Sequence, residues 1–235
     1  IDGAKRAELI QQDARSAEII KPLAVGKNVR RWRIAGKDQW LIVTPIGIPI
    51  ERYQAVFEHL ERWQTQLKKR WDKGNHWWEL RACDYYASFD RPKIVFPDIA
   101  LEMRFAFDVS GTYVTNTVYF SPIDDLYLLG VLNSSSVESF YIELSAQVRG
   151  GYLRFFRQYV EQIPIPNASP ADRTAIADLV QKCLDAKGQG PDVAAWEAEI
   201  NARVARLYGL TEAEIAVVEG TRADVTGEDG GPAMA

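Results

Sequence analysis

The sequence predicts an α+β fold in which a mixed or antiparallel sheet with packed helices is followed by a C-terminal helical hairpin. Three patterns carry that prediction. From Glu51 to Trp71 the apolar residues Tyr53, Val56, Phe57, Leu60, Trp63, Leu67 and Trp71 recur every three or four positions, which sets them on one face of a long helix. From Trp77 to Phe120 the period falls to two, the mark of strands that turn alternate side chains to opposite faces. After residue 166 only helical stripes remain.

The elements follow in order. Residues 4–20 read as an amphipathic helix with Ala7, Ile10, Ala14 and Ala17 on one side, interrupted by Lys21-Pro22. The run GKNVRRWRIAGK (26–37) alternates Val29, Trp32 and Ile34 with arginines and reads as extended chain, and Trp40–Val43 is a short strand closed by Thr44-Pro45. The long helix ends near Gly74, with Lys68, Lys69 and Arg70 in its last turn, where cations suit the negative end of the helix dipole. Ile94–Phe96, Arg104–Val109 and Thr112–Phe120 are strands, the last two joined at Ser110-Gly111. Leu126–Leu132 is an apolar helix closed by Asn133-Ser134, and Ser135 with Glu138 forms a capping box for the next helix. IPIPNASP (163–170) is a boundary that supplies Ser169 as N-cap and Pro170 as first helical residue. Ile176, Leu179, Val180, Cys183 and Leu184 line the first helix beyond it. KGQGP (187–191) turns the chain, and Val193, Trp196, Ile200, Val204 and Leu207 line the second. Thr211 with Glu214 caps a third helix that stops at Gly220.

Composition bounds what such a fold can be. The 235 residues are 47% hydrophobic and 26% charged, enough to bury a sizeable core, and no run of about 18 apolar residues offers a membrane span. The start, Ile1-Asp2-Gly3, is no signal peptide and is expected of a processed or excised piece of a longer protein. Cys83 and Cys183 are too few for a disulfide framework or a cysteine zinc site, so a reducing, cytoplasmic location is expected. The net charge of −4 hides an asymmetry: residues 167–235 hold 6 Lys+Arg against 12 Asp+Glu, and 24 of the 26 aromatics precede them. We therefore expect a body at 1–166, a helical appendage at 167–220 and a disordered tail at 221–235.

Catalytic signals are nearly absent. Gly188-x-Gly190 lies between helices rather than after a strand, so it is no nucleotide loop, and His59 and His76 read as surface or packing residues. Asp98 with Glu102-x-Arg104 faintly resembles a magnesium nuclease triad, but such a site needs convergent carboxylates that the sequence does not reveal. The basic constellation is stronger. Lys27, Arg30, Arg31, Arg33 and Lys37 lie in one acid-free run, and Lys69, Arg70, Lys73, Arg149, Arg154 and Arg157 join them among interleaved aromatics. Such patches neutralise phosphates, and arginine forks read guanine edges. From charge alone, a solvated face balancing an acidic neighbour is the better account, because the chain is acidic overall.

The order of motifs adds to the charge. IIKPLAVGKNVRRWRI (19–34), WWELRACDYYASFDRPKIVFPDIA (77–100), YLLGVLNSS (127–135), GGYLRFFRQYVEQIPIP (150–166) and LYGLTEAEI (207–215) follow one another as in a known family. In them the chain resembles the TaqI-like C-terminal specificity domain. That is the target-recognition region of adenine-specific DNA methyltransferases, type IIG-like restriction–modification enzymes and related phage-defence methyltransferases. The resemblance implies a domain that grips double-stranded DNA and reads its target. A separate N-terminal methyltransferase domain of the same polypeptide would bind S-adenosylmethionine and methylate a flipped adenine. The G-x-G cofactor loop and N-P-P-Y-type motif of that domain have no counterpart here, since the chain has no Pro-Pro pair. No catalytic residue, metal or cofactor is therefore expected within it.

Gly26, Lys27, Arg30 and Arg31 fit the family's G-K-x-[IV]-x-R-[YW] stretch, Lys93 its P-K-I strand, and Asn133-Ser134 its L-N-S turn. Gly26 is expected to supply turn freedom and Asn133-Ser134 to close a helix; Gln54 departs from the proline common in relatives. Arg30, Arg31, Arg33 and Lys37 lead the DNA-contact candidates, followed by Arg149, Arg154 and Arg157, then Lys69, Arg70 and Lys73, with Lys93 added by resemblance. The competing reading is a protein–protein docking module whose appendage helices position a methyltransferase or partner subunit without base readout. A nuclease using Asp98 and Glu102 is the third.

Overall fold

The computed structural model describes residues 1–226 apart from Lys37 and Arg149. The chain begins with α1 (Gly3–Gln12), α2 (Ser16–Ile19), β1 (Ile20–Ala24), β2 (Val29–Arg30), β3 (Arg33–Ile34) and β4 (Trp40–Ile42). There follow α3 (Gln54–Glu61), α4 (Gln64–Lys68), α5 (Tyr86–Phe89), β5 (Lys93–Pro97), β6 (Ile99–Ala100), β7 (Ala106–Asp108), β8 (Tyr113–Val114) and β9 (Val118–Ser121). The rest is α6 (Leu126–Leu132), α7 (Ser135–Leu144), β10 (Gln147–Val148), β11 (Tyr152–Arg154), α8 (Arg157–Val160), α9 (Pro170–Asp185), α10 (Val193–Leu207) and α11 (Glu212–Thr226). The α+β class is as predicted. No described helix is long and apolar enough to cross a membrane.

These elements form two compact units. Unit 1 comprises Ile1–Ala24, Gly36–Pro92 and Val109–Thr115. Its central strand β1 runs antiparallel to β4 and parallel to β8, and its core joins Leu9 and Ile20 to Tyr53 and Val56. The single helix expected over 51–71 is instead a 3-10 turn at Ile50–Arg52, then α3, then a break at Arg62-Trp63 before α4. Burial explains the break. Val56 is fully buried, but Trp63 is 51% exposed and Trp71 99% exposed, so the distal half of the stripe has no core to pack against. Short helices depend on such packing.

Unit 2 comprises Val25–Ala35, Lys93–Asp108 and the chain from Asn116 onward. It holds the antiparallel sheets β7-β5-β9 and β10-β11-β6 and the β2–β3 hairpin. The hairpin expected between Arg104–Val109 and Thr112–Phe120 does not form. β7 pairs with β5, while Thr112–Phe120 splits into β8, which joins β1 with Tyr113 stacked on Phe89, and β9, which joins β5. Local alternation cannot distinguish one strand from two that serve different sheets.

The helices after residue 166 belong to unit 2 rather than standing apart from it. Ile176, Val180, Ile200 and Val204 are buried in the same core as Phe96, Phe105 and Tyr141. At Gly130 of α6 a Cβ would sit 2.7 Å from Ile176 and 2.9 Å from Val180, so glycine permits the close approach of α9. The predicted α9–α10 hairpin is present, Ser169 caps α9 with Pro170 in its first turn, and Thr211 and Glu214 cap α11 reciprocally. α11 continues to Thr226, beyond the stop expected at Gly220, and 227–235 lie outside the described residues. The cap of α7 is Ser134, whose hydroxyl accepts the Val137 amide, not Ser135, and Glu138 accepts the Met103 amide at 3.0 Å instead of closing a capping box. Asn133 does close α6, and its side chain also holds both backbone groups of Phe105 at 3.0 and 2.9 Å.

Candidate nucleic-acid interface

The chemistry of a basic run depends on which of its cations the fold consumes. In unit 2, residues 26–34 form a small platform. Gly26 has no left-handed backbone; its Cβ would meet the Thr117 carbonyl oxygen at 2.9 Å, so close approach, not turn freedom, requires glycine there. The β2–β3 hairpin sets Arg30 opposite Arg33 and turns through Arg31-Trp32, with Trp32 at φ 70°. A bulky residue in that region is strained. The surroundings hold it: the Trp32 amide donates to the Phe105 carbonyl at 3.0 Å and the buried indole Nε1 to Glu197 at 2.6 Å.

Arg31 points inward with its side chain 10% exposed, within 3.7 Å of Glu102, 3.6 Å of Glu138 and 3.9 Å of Glu197. A buried guanidinium needs such carboxylates. Arg31 therefore leaves the leading group of DNA-contact candidates and becomes the ionic centre of the scaffold. Lys93 moves the same way: it is fully buried, opposite Asp108 in the β5–β7 register, and its Nζ lies 2.6 Å from that carboxylate.

On the platform Lys27 is exposed, while Arg30 and Arg33 are partly exposed. Arg30 Nη1 donates to the carbonyls of Lys27 at 2.7 Å and Val29 at 2.9 Å, which fixes its fork. Partial burial, followed by the neighbouring Arg104 and Arg33 charges, lowers the Arg30 pKa, so three guanidinium groups share one small region. Arg104 is the member that the sequence alone does not disclose, since it offers Arg104 only as the last residue of a nuclease-like triad. Its 3.0 Å contact with Glu102 leaves it part of the cluster, and no local pattern links it to residues 30–33.

Elsewhere in unit 2, Arg154 lies over the Phe156 ring at 5.2 Å, and Arg157 is 91% exposed beside Glu161 at 3.0 Å. In unit 1, Lys69 and Lys73 are exposed, but Arg70 Nη2 binds the carbonyls of Trp77 at 3.1 Å and Glu79 at 2.8 Å and acts as a loop clamp. Lys37 and Arg149 lie outside the described residues.

The nuclease reading loses its second carboxylate, because Glu102 is engaged by Arg104 and Arg31. Burial raises the Asp98 carboxyl above the ordinary aspartate value. No group of three His, Cys, Asp or Glu suited to a metal occurs among the described residues. The stripe residues on which a docking role for α9 and α10 would rest are packed in the unit 2 core.

Residues 21–165 match the model of the TaqI-like C-terminal specificity domain. The chain belongs to that family. The specificity domain is 29% identical over 218 residues to the type II methyltransferase M.PaeR7I of Pseudomonas aeruginosa, covering 85% of this chain and 35% of that protein. It is 22% identical to the type II methyltransferase M.MjaIV of Methanocaldococcus jannaschii, covering 86% of this chain and 74% of the relative. Its fold is similar to the type IIL restriction-modification enzyme MmeI, solved in complex with DNA, with a TM-score of 0.67 at 12% identity over 96% of this chain and 33% of the other. The specificity domain thus spans about a third of the first relative and of the structural neighbour.

Proposed function

We propose that this specificity domain recognises double-stranded DNA in a sequence-specific way as the C-terminal part of an adenine-specific (N6) methyltransferase or type IIG restriction–modification enzyme. The observation that carries the reading is the basic cluster of Arg30 and Arg33 on the β2–β3 hairpin, with Lys27 in the turn before it and Arg104 brought beside Arg30 by the fold, the hairpin turn being held by Trp32 and Arg31. Neighbouring guanidinium groups repel one another, and a phosphate placed among them relieves that repulsion while releasing counterions from the duplex. A fixed fork such as Arg30 also suits the bidentate readout of a guanine edge. Phosphate contacts would set the register of the domain, and base contacts would select the sequence.

The chain would supply neither catalytic residue nor cofactor. An N-terminal methyltransferase domain of the same polypeptide, holding S-adenosylmethionine, would carry out the transfer in the cytoplasm. The whole would serve phage defence.

Selection of bound duplexes from a random pool, at low and at physiological salt, tests the reading. An enriched short motif that persists at the higher salt is the expected result. Absence of duplex binding at both salts would refute it.

A further inference from the structure

We propose that Trp71 is a base-stacking residue, whose indole enters the base stack of a duplex held by the lysines around it. The inference rests on the DNA-recognition reading above and adds to it a contact in unit 1. Trp71 is 99% exposed, more than any other large apolar side chain described. An indole commonly buries about 150–250 Å² when it finds a partner. Within its own unit Trp71 meets none.

The protrusion is built rather than loose. On one side Arg70 is pinned to the carbonyls of Trp77 and Glu79. On the other, Lys73 bridges Leu80 in antiparallel fashion, and its Nζ returns to the Arg70 carbonyl at 3.1 Å. The loop these residues close is organised by Glu79, which is 1% exposed and accepts the amides of Gly47 at 2.9 Å and His76 at 2.8 Å. The chain is therefore anchored at Arg70, just before Trp71, and at Lys73, two residues after it, and the indole stands outward between them.

Charge selects the partner. The run Lys68-Lys69-Arg70-Trp71-Asp72-Lys73 carries four cations against one acid. Lysine is depleted at the centre of protein–protein interfaces, whereas an aromatic ring flanked by cations is how proteins hold a nucleic-acid backbone and stack on its bases. In a duplex the ring must open a step, as apolar wedges do.

The test uses the full chain and a duplex recovered by pool selection, carrying 2-aminopurine at successive positions. Binding of the unchanged chain should raise 2-aminopurine emission at one step. Trp71→Ala should abolish that rise and weaken binding about 5- to 100-fold, with the salt slope kept because no phosphate contact is lost. Trp71→Phe should retain most of both. Because the side chain is solvated, the urea midpoint of either variant should match that of the unchanged chain, separating lost stacking from lost fold. Unaltered affinity and emission in Trp71→Ala would overturn the proposal, as would weakened binding with no emission rise at any step in the unchanged chain. If the unchanged chain binds no duplex at all, the DNA-recognition reading has failed first and this one falls with it.

Discussion

Trp32 Nε1 donates a 2.6 Å hydrogen bond to Glu197, which ties the turn of the β2–β3 hairpin to α10, 165 residues along the chain. The contact explains how a buried tryptophan is kept at φ 70° and how a two-residue-wide hairpin holds its arginines steady. Trp32→Phe removes the donor but keeps most of the ring. A hydrogen bond to a charged group contributes about 1.5–3 kcal/mol, so urea unfolding should show a loss of that order. Duplex affinity should fall as well, since the hairpin that carries Arg30 and Arg33 loses its anchor.

Arg31 and its neighbours should separate by assay. Arg31→Ala leaves Glu102, Glu138 and Glu197 around an emptied site and should cost about 3–5 kcal/mol of stability. Arg33→Ala, partly exposed, should change stability by about 0.5 kcal/mol or less, and Arg30→Ala, which gives up its bonds to the Lys27 and Val29 carbonyls, should cost about 0.5–1.5 kcal/mol, still well below Arg31→Ala. They should nonetheless weaken duplex binding, with a shallower salt dependence wherever a phosphate contact is lost. Full stability in Arg31→Ala would show that the three carboxylates do not depend on it.

The Lys93–Asp108 pair permits a cleaner cycle. Both side chains are essentially inaccessible and face each other across β5 and β7. Lys93→Met takes the cation from a buried carboxylate and Asp108→Leu takes the anion from a buried ammonium, each costing about 3–5 kcal/mol, whereas the double variant should recover much of the loss. Chemical denaturation of the four proteins reads this directly. Additive losses would mean that the pair is not coupled.

Much of the fold was legible because it is written in local chemistry. Ser169-Pro170 starts α9, Asn133 closes α6, and the stripes of α9 and α10 face the core as their spacing implies. What escaped depends on contacts distant in sequence. Nothing near Thr115 announces that the strand divides between two units, and nothing near Trp63 shows that its helix has run out of core. The site divides in the same way. A run of arginines reveals a basic hairpin, but whether a given arginine faces solvent or three glutamates is decided by residues 102, 138 and 197. Arg104 was invisible for the same reason: only tertiary structure brings its charge to Arg30.

Glu79 makes one part of stability depend on pH. Burial works to raise its carboxyl, but the amides of Gly47, His76 and Asn75 outweigh burial and hold it below the ordinary value of 4.5. A depressed folded-state pKa stabilises the protein above the unfolded-state pKa, and that contribution disappears as pH falls through the folded-state one. Glu79→Gln should therefore be less stable than the unchanged chain at pH 7. The gap should narrow as pH drops below about 4.5 and close in stronger acid. Urea midpoints between pH 3 and 7 test this, and a constant gap across the range would remove Glu79 as its source.

Gly130 sets two effects of known size against each other. Within α6, alanine is favoured over glycine by about 1 kcal/mol. Its Cβ, however, would come within 2.7 Å of Ile176 Cγ2 and 2.9 Å of Val180 Cγ2, both branched, buried and confined to α9. Overpacking of this kind costs about 1–3 kcal/mol, and two contacts below 3.0 Å favour the upper end of that range. Gly130→Ala should thus destabilise unit 2 despite the better helix former. The same substitution made in an Ile176→Ala background, where one obstructing methyl is gone, should cost less or turn favourable. A double-mutant cycle by chemical denaturation measures that coupling, and its absence would mean that α6 and α9 separate readily enough to admit the methyl.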